Sequence, residues 1–346
     1  MKPFPAPGLL GLGLLAACSS EARYLSSPQF DGARFRNPTQ PDEQGLLAVA
    51  RHILFNRNGA WPERRIERRP ILQVDVPTAP DEVAVTFVNH ATVLIQTGGL
   101  NILTDPVWSE VVGPLSWAGP ERAVAPGIPF EDLPPIDVVL ISHNHYDHLD
   151  LPTLIRLSER DGPRFFVPLG DEALLRAAGI DQVVELDWWQ RVDLDEETEL
   201  IFTPARHASG RSPFDKNRSL WGGHLIKRGA HTIYFAGDTG FSDHFAEIRR
   251  RFGPIDLAFL PIGAYLPRET TRAFHLDPGE AVEAHQILEA RHSIAIHFGT
   301  FQLTGEDFDQ PVRDLSRALQ TARSLPGPFR ALVEGRTVRL HLQRRP

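Results

Sequence analysis

The densest chemistry in the chain is His-Asn-His-Tyr-Asp-His at residues 143–148, where three imidazoles and a carboxylate fall within six positions. Imidazole and carboxylate together suit zinc, iron or manganese, and the lack of thiolates beside them argues against a structural zinc site. The run follows an apolar stretch, "IDVVLIS" (136–142), and three other ligand-type residues sit in the same way. His207 follows "LIFTPAR", Asp238 follows "TIYFAG", and His297 follows "HSIAI". Strand ends on one rim of a sheet converge, so residues far apart in sequence can meet there. The candidates are therefore His143, His145, Asp147, His148, His207, Asp238 and His297, five imidazoles and two carboxylates. Seven ligands exceed one tetrahedral ion and suit two ions sharing a carboxylate. Such a pair can hold a bridging hydroxide and stabilise both the attacking and the leaving oxygen. Alternate residues of an extended segment face opposite sides, so residues 143–148 must leave the strand and turn sharply. A lone histidine among the chain's 14 would read better as a surface or core residue, but this run is not a lone histidine. No serine or cysteine lies in a recognisable base-activated arrangement, which leaves water as the nucleophile.

The elements that would position these groups begin near residue 81. Short apolar runs at 83–88, 92–97, 101–104, 138–142, 164–167, 200–205, 232–237, 257–261 and 293–297 have strand composition. Helical patterns occupy 151–160, 171–178, 243–252, 278–290 and 311–323. This alternation predicts either two sheets with helices outside or one wound sheet. Residues 19–44 are polar and proline-bearing and read as a linker, 45–57 carry a helical apolar pattern, and 62–80 are rich in proline and arginine. No internal repeat or low-complexity segment is visible.

The 346 residues are 42% hydrophobic and 23% charged, with a formal net charge of -8. That excludes the basic stripe of a nucleic-acid-binding surface. Arg64, Arg65, Arg68 and Arg69 form one local basic run, read first as solvated surface and alternatively as an attraction for anionic head groups. The single cysteine, Cys18, precludes an intrachain disulfide. It closes a segment with Lys2 and an apolar run too short to span a bilayer but suited to a signal peptide. Leu15-Ala16-Ala17-Cys18 resembles a bacterial lipobox. The expectation is a signal peptide over 1–17, lipidation at Cys18 and a chain tethered at the bacterial cell envelope rather than spanning a membrane.

The ligand run, with His207, Asp238 and His297, resembles the metallo-β-lactamase superfamily. The resemblance implies an α/β fold over 81–346, an αββα sandwich of two mixed sheets flanked by helices, with a metal pair at the sheet edges. Residues 18–80 would be an N-terminal linker and extension. Carried over by position, His143, His145 and His207 would bind the first metal, Asp147, His148 and His297 the second, and Asp238 would bridge. A narrower resemblance rests on "NHATVLIQTGGLNILTDPVWSE", "GPLSWAGPER", "ISHNHYDHLD", "SLWGGHLI", "FAGDTG", "HLDPGEAVEAH" and "AIHFGTF". Together these are similar to the N-acyl-phosphatidylethanolamine-hydrolysing phospholipase D family. That implies a phosphodiesterase with two Zn2+ ions, acting on phospholipid at a membrane surface to release N-acylethanolamine and leave phosphatidic acid. A lactonase or other small-ester hydrolase, and a metal-binding surface lipoprotein without catalysis, are the other two readings. No H-x-K-x4-D pair of the covalent-histidine phospholipase D type is present.

Asp147, as a metal ligand, and His275 are the residues assigned to catalysis. His275 resembles the family's active-site histidine outside the metal set and would contact the substrate phosphate or protonate the leaving alkoxide. It also precedes Asp277-Pro278, a good helix start. Asp105, in "LTDP", is the candidate to orient a metal-bound histidine, or else a turn initiator. Trp108 and Trp117, with Val111 and Leu115, would form an apolar entrance for acyl chains, or pack in the core. His90 is expected near the site without binding metal. His224, His231 and His244 read as structural or surface groups, and Trp188 and Trp189 as packing.

Overall fold

The computed structural model describes residues 24–38, 59–67, 77, 79 and 81–342. Cys18 and the signal-peptide segment, the helical pattern at 45–57, and Arg68 and Arg69 lie outside the described residues. No helix among the described residues is long and apolar enough to cross a membrane.

Two seven-stranded mixed sheets face each other. The first contains β1 (Glu82–Asn89), β2 (Thr92–Thr97), β3 (Leu100–Thr104), β4 (Val138–Leu140), β5 (Arg164–Pro168) and β6 (Val183–Leu186). The second contains β7 (Arg191–Asp193), β8 (Thr198–Thr203), β9 (Gly223–Arg228), β10 (His231–Phe235), β11 (Leu257–Pro261), β12 (His292–Ile296) and β13 (Phe329–Arg330). β14 (Thr337–His341) returns to the first sheet and pairs antiparallel with β1. In each sheet an antiparallel meander continues into parallel strands, β3 to β6 in one and β10 to β13 in the other.

The period-two alternation of strands sorts side chains into layers. Val93 and Ile95, Val138 and Leu140, Leu200 and Phe202, Ile233 and Phe235, and Ile294 and Ile296 face the layer between the sheets. Leu94, Val139 and Ile141 face outward against Leu154 and Leu157 of helix α1 (Leu151–Arg160) and Leu175 of α2 (Glu172–Ala177). Ile201, Tyr234, Ala258 and Ala295 face outward on the second sheet. There they meet α3 (His244–Phe252), α5 (Pro278–Ile287) and α6 (Gln310–Thr321), while α4 (Arg268–Thr271) is a single turn. Both faces of both sheets are therefore covered, the condition under which parallel strands are stable.

The N-terminal segment departs from the linker expected over 19–44. Residues 24–38 cross the sandwich, burying Tyr24 and Phe35 in the inter-sheet core, with Phe30 packed against it. The three rings contact one another at 4.9–5.9 Å between centroids. Three aromatic side chains bury enough apolar surface to fix a segment that is otherwise polar.

Candidate metal centre

β3, β4, β8, β10 and β12 run in the same sense, so their carboxyl ends share one rim. The ligand run leaves β4 as the expected turn. Ile141 N still donates to Phe166 O at 2.9 Å, and then the amides of His148 and Leu149 both turn back to His145 O, at 3.1 and 2.8 Å. From the second sheet, β10 brings Asp238 close through Gly237, whose φ is 61° and where a Cβ would lie 2.5 Å from the Ser142 Cβ. Only glycine permits that approach.

Two groups of ligand atoms result. His143 Nε2 lies 2.8 Å from His145 Nδ1, which lies 3.3 Å from His207 Nε2. In the second group His148 Nε2 is 3.4 Å from Asp147 Oδ2 and 3.3 Å from Asp238 Oδ2. His297 Nε2 is 3.5 and 3.0 Å from the same two oxygens. Asp238 Oδ2 also lies 3.9 Å from His207 Nε2 of the first group, so this carboxylate stands between the two. A first-row ion bonded at about 2.0–2.1 Å sets its neighbouring ligands about 3 to 3.4 Å apart, which is the spacing of the second group.

The polar atoms of this cage are under-satisfied in the way a cation would relieve. His148 Nε2, His297 Nε2 and Asp238 Oδ1 are buried without hydrogen-bond partners. The 3.0 Å approach of His297 Nε2 to Asp238 Oδ2 lacks hydrogen-bond alignment, as expected of atoms that converge on a shared ion. Charge favours the same reading. Burial holds His143 and His207 well below the usual imidazole range, leaving neutral rings able to coordinate. Burial opposes ionisation of Asp147 and Asp238, but the neighbouring His148 and His297 outweigh it and keep both carboxyls well below their usual range. The reverse holds for His148, where burial is outweighed by Asp238, Asp147 and Asp105.

A second layer of contacts fixes the ligands. Asp105 is fully buried and accepts from Ser142 N at 2.7 Å, from the Ser142 hydroxyl at 2.6 Å and from His148 Nδ1 at 2.7 Å. Ser142 Oγ is in turn 2.9 Å from His143 Nδ1. One carboxylate thus orients a ligand of each group. His207 Nδ1 donates to Phe274 O at 2.9 Å, and Asn37 of the N-terminal segment donates to His207 O at 2.8 Å. His90 lies 2.9 Å from Asp147 Oδ2, with Nε2 toward the carboxylate. Asn144 turns away from the metal side. It donates to Asp171 at 2.9 Å and Ser219 at 3.1 Å, and accepts from Gly210 N at 2.7 Å. It thereby ties the ligand turn to the loop after His207. His90, Asp105, Ala264 and His297 all have positive φ, between 31° and 60°. Non-glycine residues in that region cost about 1–3 kcal/mol each and gather where the surrounding structure imposes them.

The structure brings all seven ligand candidates together and sets Asp105 behind them. His275 borders the cage: its Nδ1 is 3.7 Å from Asp238 Oδ2, and its ring centroid is 5.2 Å from that of His207. Its side chain is 18% exposed, and burial lowers its pKa to about 4. Trp108 is packed rather than set at an entrance. Its indole N–H donates to Ile128 O at 3.0 Å and its ring meets Phe130 edge-on, because Asp150 and Thr153 hold its backbone down. Trp117 is 78% exposed at a loop tip. His224 donates to Ile141 O at 2.9 Å, tying the sheets beneath the ligand turn. His244 contacts Ser242 Oγ at 2.6 Å, and His231 lies 3.8 Å from Asp256. Sequence reasoning left Ser142, Asn144, Asn37 and the Phe274 carbonyl unassigned, and gave His90 a neighbourhood but no partner.

Two buried His/Asp groups joined by Asp238, on the rim between two mixed seven-stranded sheets, fit a binuclear metal site and define a metal-dependent hydrolase. Residues 100–298 match the beta-lactamase superfamily domain, and the chain belongs to the metallo-β-lactamase superfamily. An uncharacterised protein of Mycobacterium tuberculosis (strain ATCC 25618 / H37Rv) is 39% identical over 267 residues, covering 75% of this chain and 71% of its own length. N-acyl-phosphatidylethanolamine-hydrolyzing phospholipase D 1 of Caenorhabditis elegans is 38% identical over 248 residues, 69% of this chain and 70% of its own. Among solved structures, the metallo hydrolase Igni18 of Ignicoccus hospitalis KIN4/I shares the fold, with a TM-score of 0.58 at 23% identity over 76% of this chain and 100% of its own.

Proposed function

We propose that this chain is a zinc-dependent phosphodiesterase that cleaves N-acyl-phosphatidylethanolamine to N-acylethanolamine and phosphatidic acid. The observation that carries the reading is the position of Asp238 between two ligand groups, 3.0–3.9 Å from ligand atoms of both. The 38% identity to the worm enzyme supports the substrate class. A pair of divalent ions bound there would supply Lewis acidity, lowering the pKa of water toward neutrality and withdrawing charge from phosphoryl oxygens. His143, His145 and His207 would hold one ion, Asp147, His148 and His297 the other, and Asp238 both. His90 and Asp105 fix the aim of Asp147 and His148 before substrate arrives. His275, partly exposed beside Asp238, would bind a phosphoryl oxygen or relay a proton to the departing alkoxide. Lipidation of Cys18 would tether the site at a bacterial membrane, where phospholipid lies.

The test is which bond breaks. Hydrolysis of N-acyl-phosphatidylethanolamine in ¹⁸O-water should place the label in phosphatidic acid and none in N-acylethanolamine. Label in a free fatty acid would instead establish attack at an acyl carbonyl. Turnover of a soluble lactone with no phospholipid cleaved would replace the reading with a small-ester hydrolase. Two bound ions without turnover of any ester would leave a metal-binding surface protein.

A further inference from the structure

Tyr146 sits inside the ligand run between His145 and Asp147, and two loops grip it. Its ring packs against the cluster of Val107, Val112 and Phe301 at the root of one loop. Its hydroxyl donates to Arg211 O of the other at 2.8 Å, and the Arg211 guanidinium lies 3.9 Å from its ring centroid. Both loops therefore border the metal centre.

The first loop is a small hairpin over 110–122. Val111 bridges to Glu121, Arg122 N donates to Glu110 O at 2.8 Å, Val112 N to Pro120 O at 3.1 Å, and Ala118 N to Leu115 O at 3.1 Å across the turn. A Cβ at Gly113 would come within 2.3 Å of Ala118 O, so the close pairing depends on that glycine. The turn holds Leu115 and Trp117 outward, 48% and 78% exposed. The second loop is braced by Asp215, whose carboxylate accepts from the amides of Arg211 and Ser212 at 3.0 and 2.7 Å. At its tip Phe214 is 84% exposed, flanked by exposed Lys216 and Arg218.

Large apolar side chains held this far out by rigid, hydrogen-bonded turns gain nothing in water. They stand at the tips of two separate loops, where protruding apolar side chains can enter a fluid interfacial layer. Aromatic rings favour the membrane interface. In a chain of net charge -8, a lysine and an arginine beside the exposed phenylalanine are complementary to lipid phosphates. We propose that Leu115, Trp117 and Phe214 form a docking edge that inserts into the interfacial layer of a phospholipid bilayer and sets the metal centre at head-group depth. The purpose of this edge rests on the phospholipid substrate proposed above, but its test does not.

Of the six tryptophans, Trp117 is the exposed one, so its fluorescence reports its depth. The metal-loaded full chain is mixed with phosphatidylcholine vesicles carrying brominated acyl chains. Lipid-dependent quenching is expected in the parent and lost in Trp117→Phe, even where that variant still sediments with the vesicles. Phe214→Trp should add a second quenched component. Equal quenching in the parent and Trp117→Phe would overturn the proposal, as would an unquenched Trp in Phe214→Trp. So would a concentration-dependent dimer that shields Trp117 from aqueous iodide, since a second copy would then cover the edge. Quenching requires no turnover, so failure of the phosphodiesterase reading leaves this result standing, and the converse also holds.

Discussion

Replacing Asp105 by asparagine changes one oxygen to an amide nitrogen in a fully buried side chain that accepts three hydrogen bonds, two from Ser142 and one from His148 Nδ1. The amide cannot accept all three. If its oxygen keeps the Ser142 amide, its NH2 faces His148 Nδ1 and forces the other tautomer, which places a proton on Nε2, the atom that faces the second ion. If the amide flips, the NH2 meets the Ser142 N–H, and two buried donors confront each other at a cost of about 1–3 kcal/mol. The first outcome weakens the second site; the second keeps His148 oriented and costs folding stability instead. Loss of such a supporting carboxylate lowers metal affinity by roughly 10–100-fold, or about 1.4–2.8 kcal/mol. The first site should weaken less, because Asp105 reaches His143 only through Ser142. Chelator competition, followed as metal per chain, should show one ion released early and one late. Both ions held at parental affinity would refute the tautomer argument. Equal loss of both, with a lowered melting temperature of the metal-stripped protein, would show that Asp105 acts through folding instead.

His275→Ala should retain both ions while single-turnover cleavage slows, by roughly 10²–10⁴-fold if general acid–base help is lost; loss of an ion would place His275 among the ligands. Burial pushes the Asp171 carboxyl up to about 7. Between about pH 4 and 7 the folded chain therefore keeps a proton that the unfolded chain has released, and stability falls as pH rises through that window. Asp171→Asn should flatten this slope, gaining up to roughly 3 kcal/mol over the parent at about pH 8 relative to about pH 5 in urea unfolding; parallel curves would contradict it. Cys18→Ala should free the protein from the membrane fraction or trap an uncleaved precursor, which fractionation and intact mass will show.

The ligands were legible because each of His143, His207, Asp238 and His297 follows a strand whose apolar residues announce it. The same apolar runs marked most of the strands buried on both faces, but not the interior β9, which opens on Gly223 and His224 and ends on Lys227 and Arg228, nor the edge strand β6. β7 and β14 escaped notice because they are edge strands with half-exposed, charged residues, such as Arg191 and Asp193 or Arg339. β13 is only two residues long. The 24–38 segment was missed for a related reason: Tyr24, Phe30 and Phe35 bury their rings without any period that marks a helix or strand. His90 and Asn144 stand inside quoted motifs, but their roles depend on where distant residues arrive, Asp147 for one and Asp171 and Gly210 for the other. Sequence spacing does not encode those meetings.

The ligand cage draws on both sheets. Asp105 and residues 143–148 belong to the first, while His207, Asp238 and His297 belong to the second. Ion binding is therefore also a clasp across the sandwich, linked to its stability by mass action. At a free concentration a hundredfold above its dissociation constant, each ion adds about 2.7 kcal/mol to the folded state. The free-metal level in its surroundings thus sets both the catalytic competence and the lifetime of this fold. Starvation for metal would first loosen the rim at β4 and β12, and chelated protein should exchange its amide hydrogens there before the far ends of the same strands do. A chain without its ions would then also be the chain most open to proteolysis.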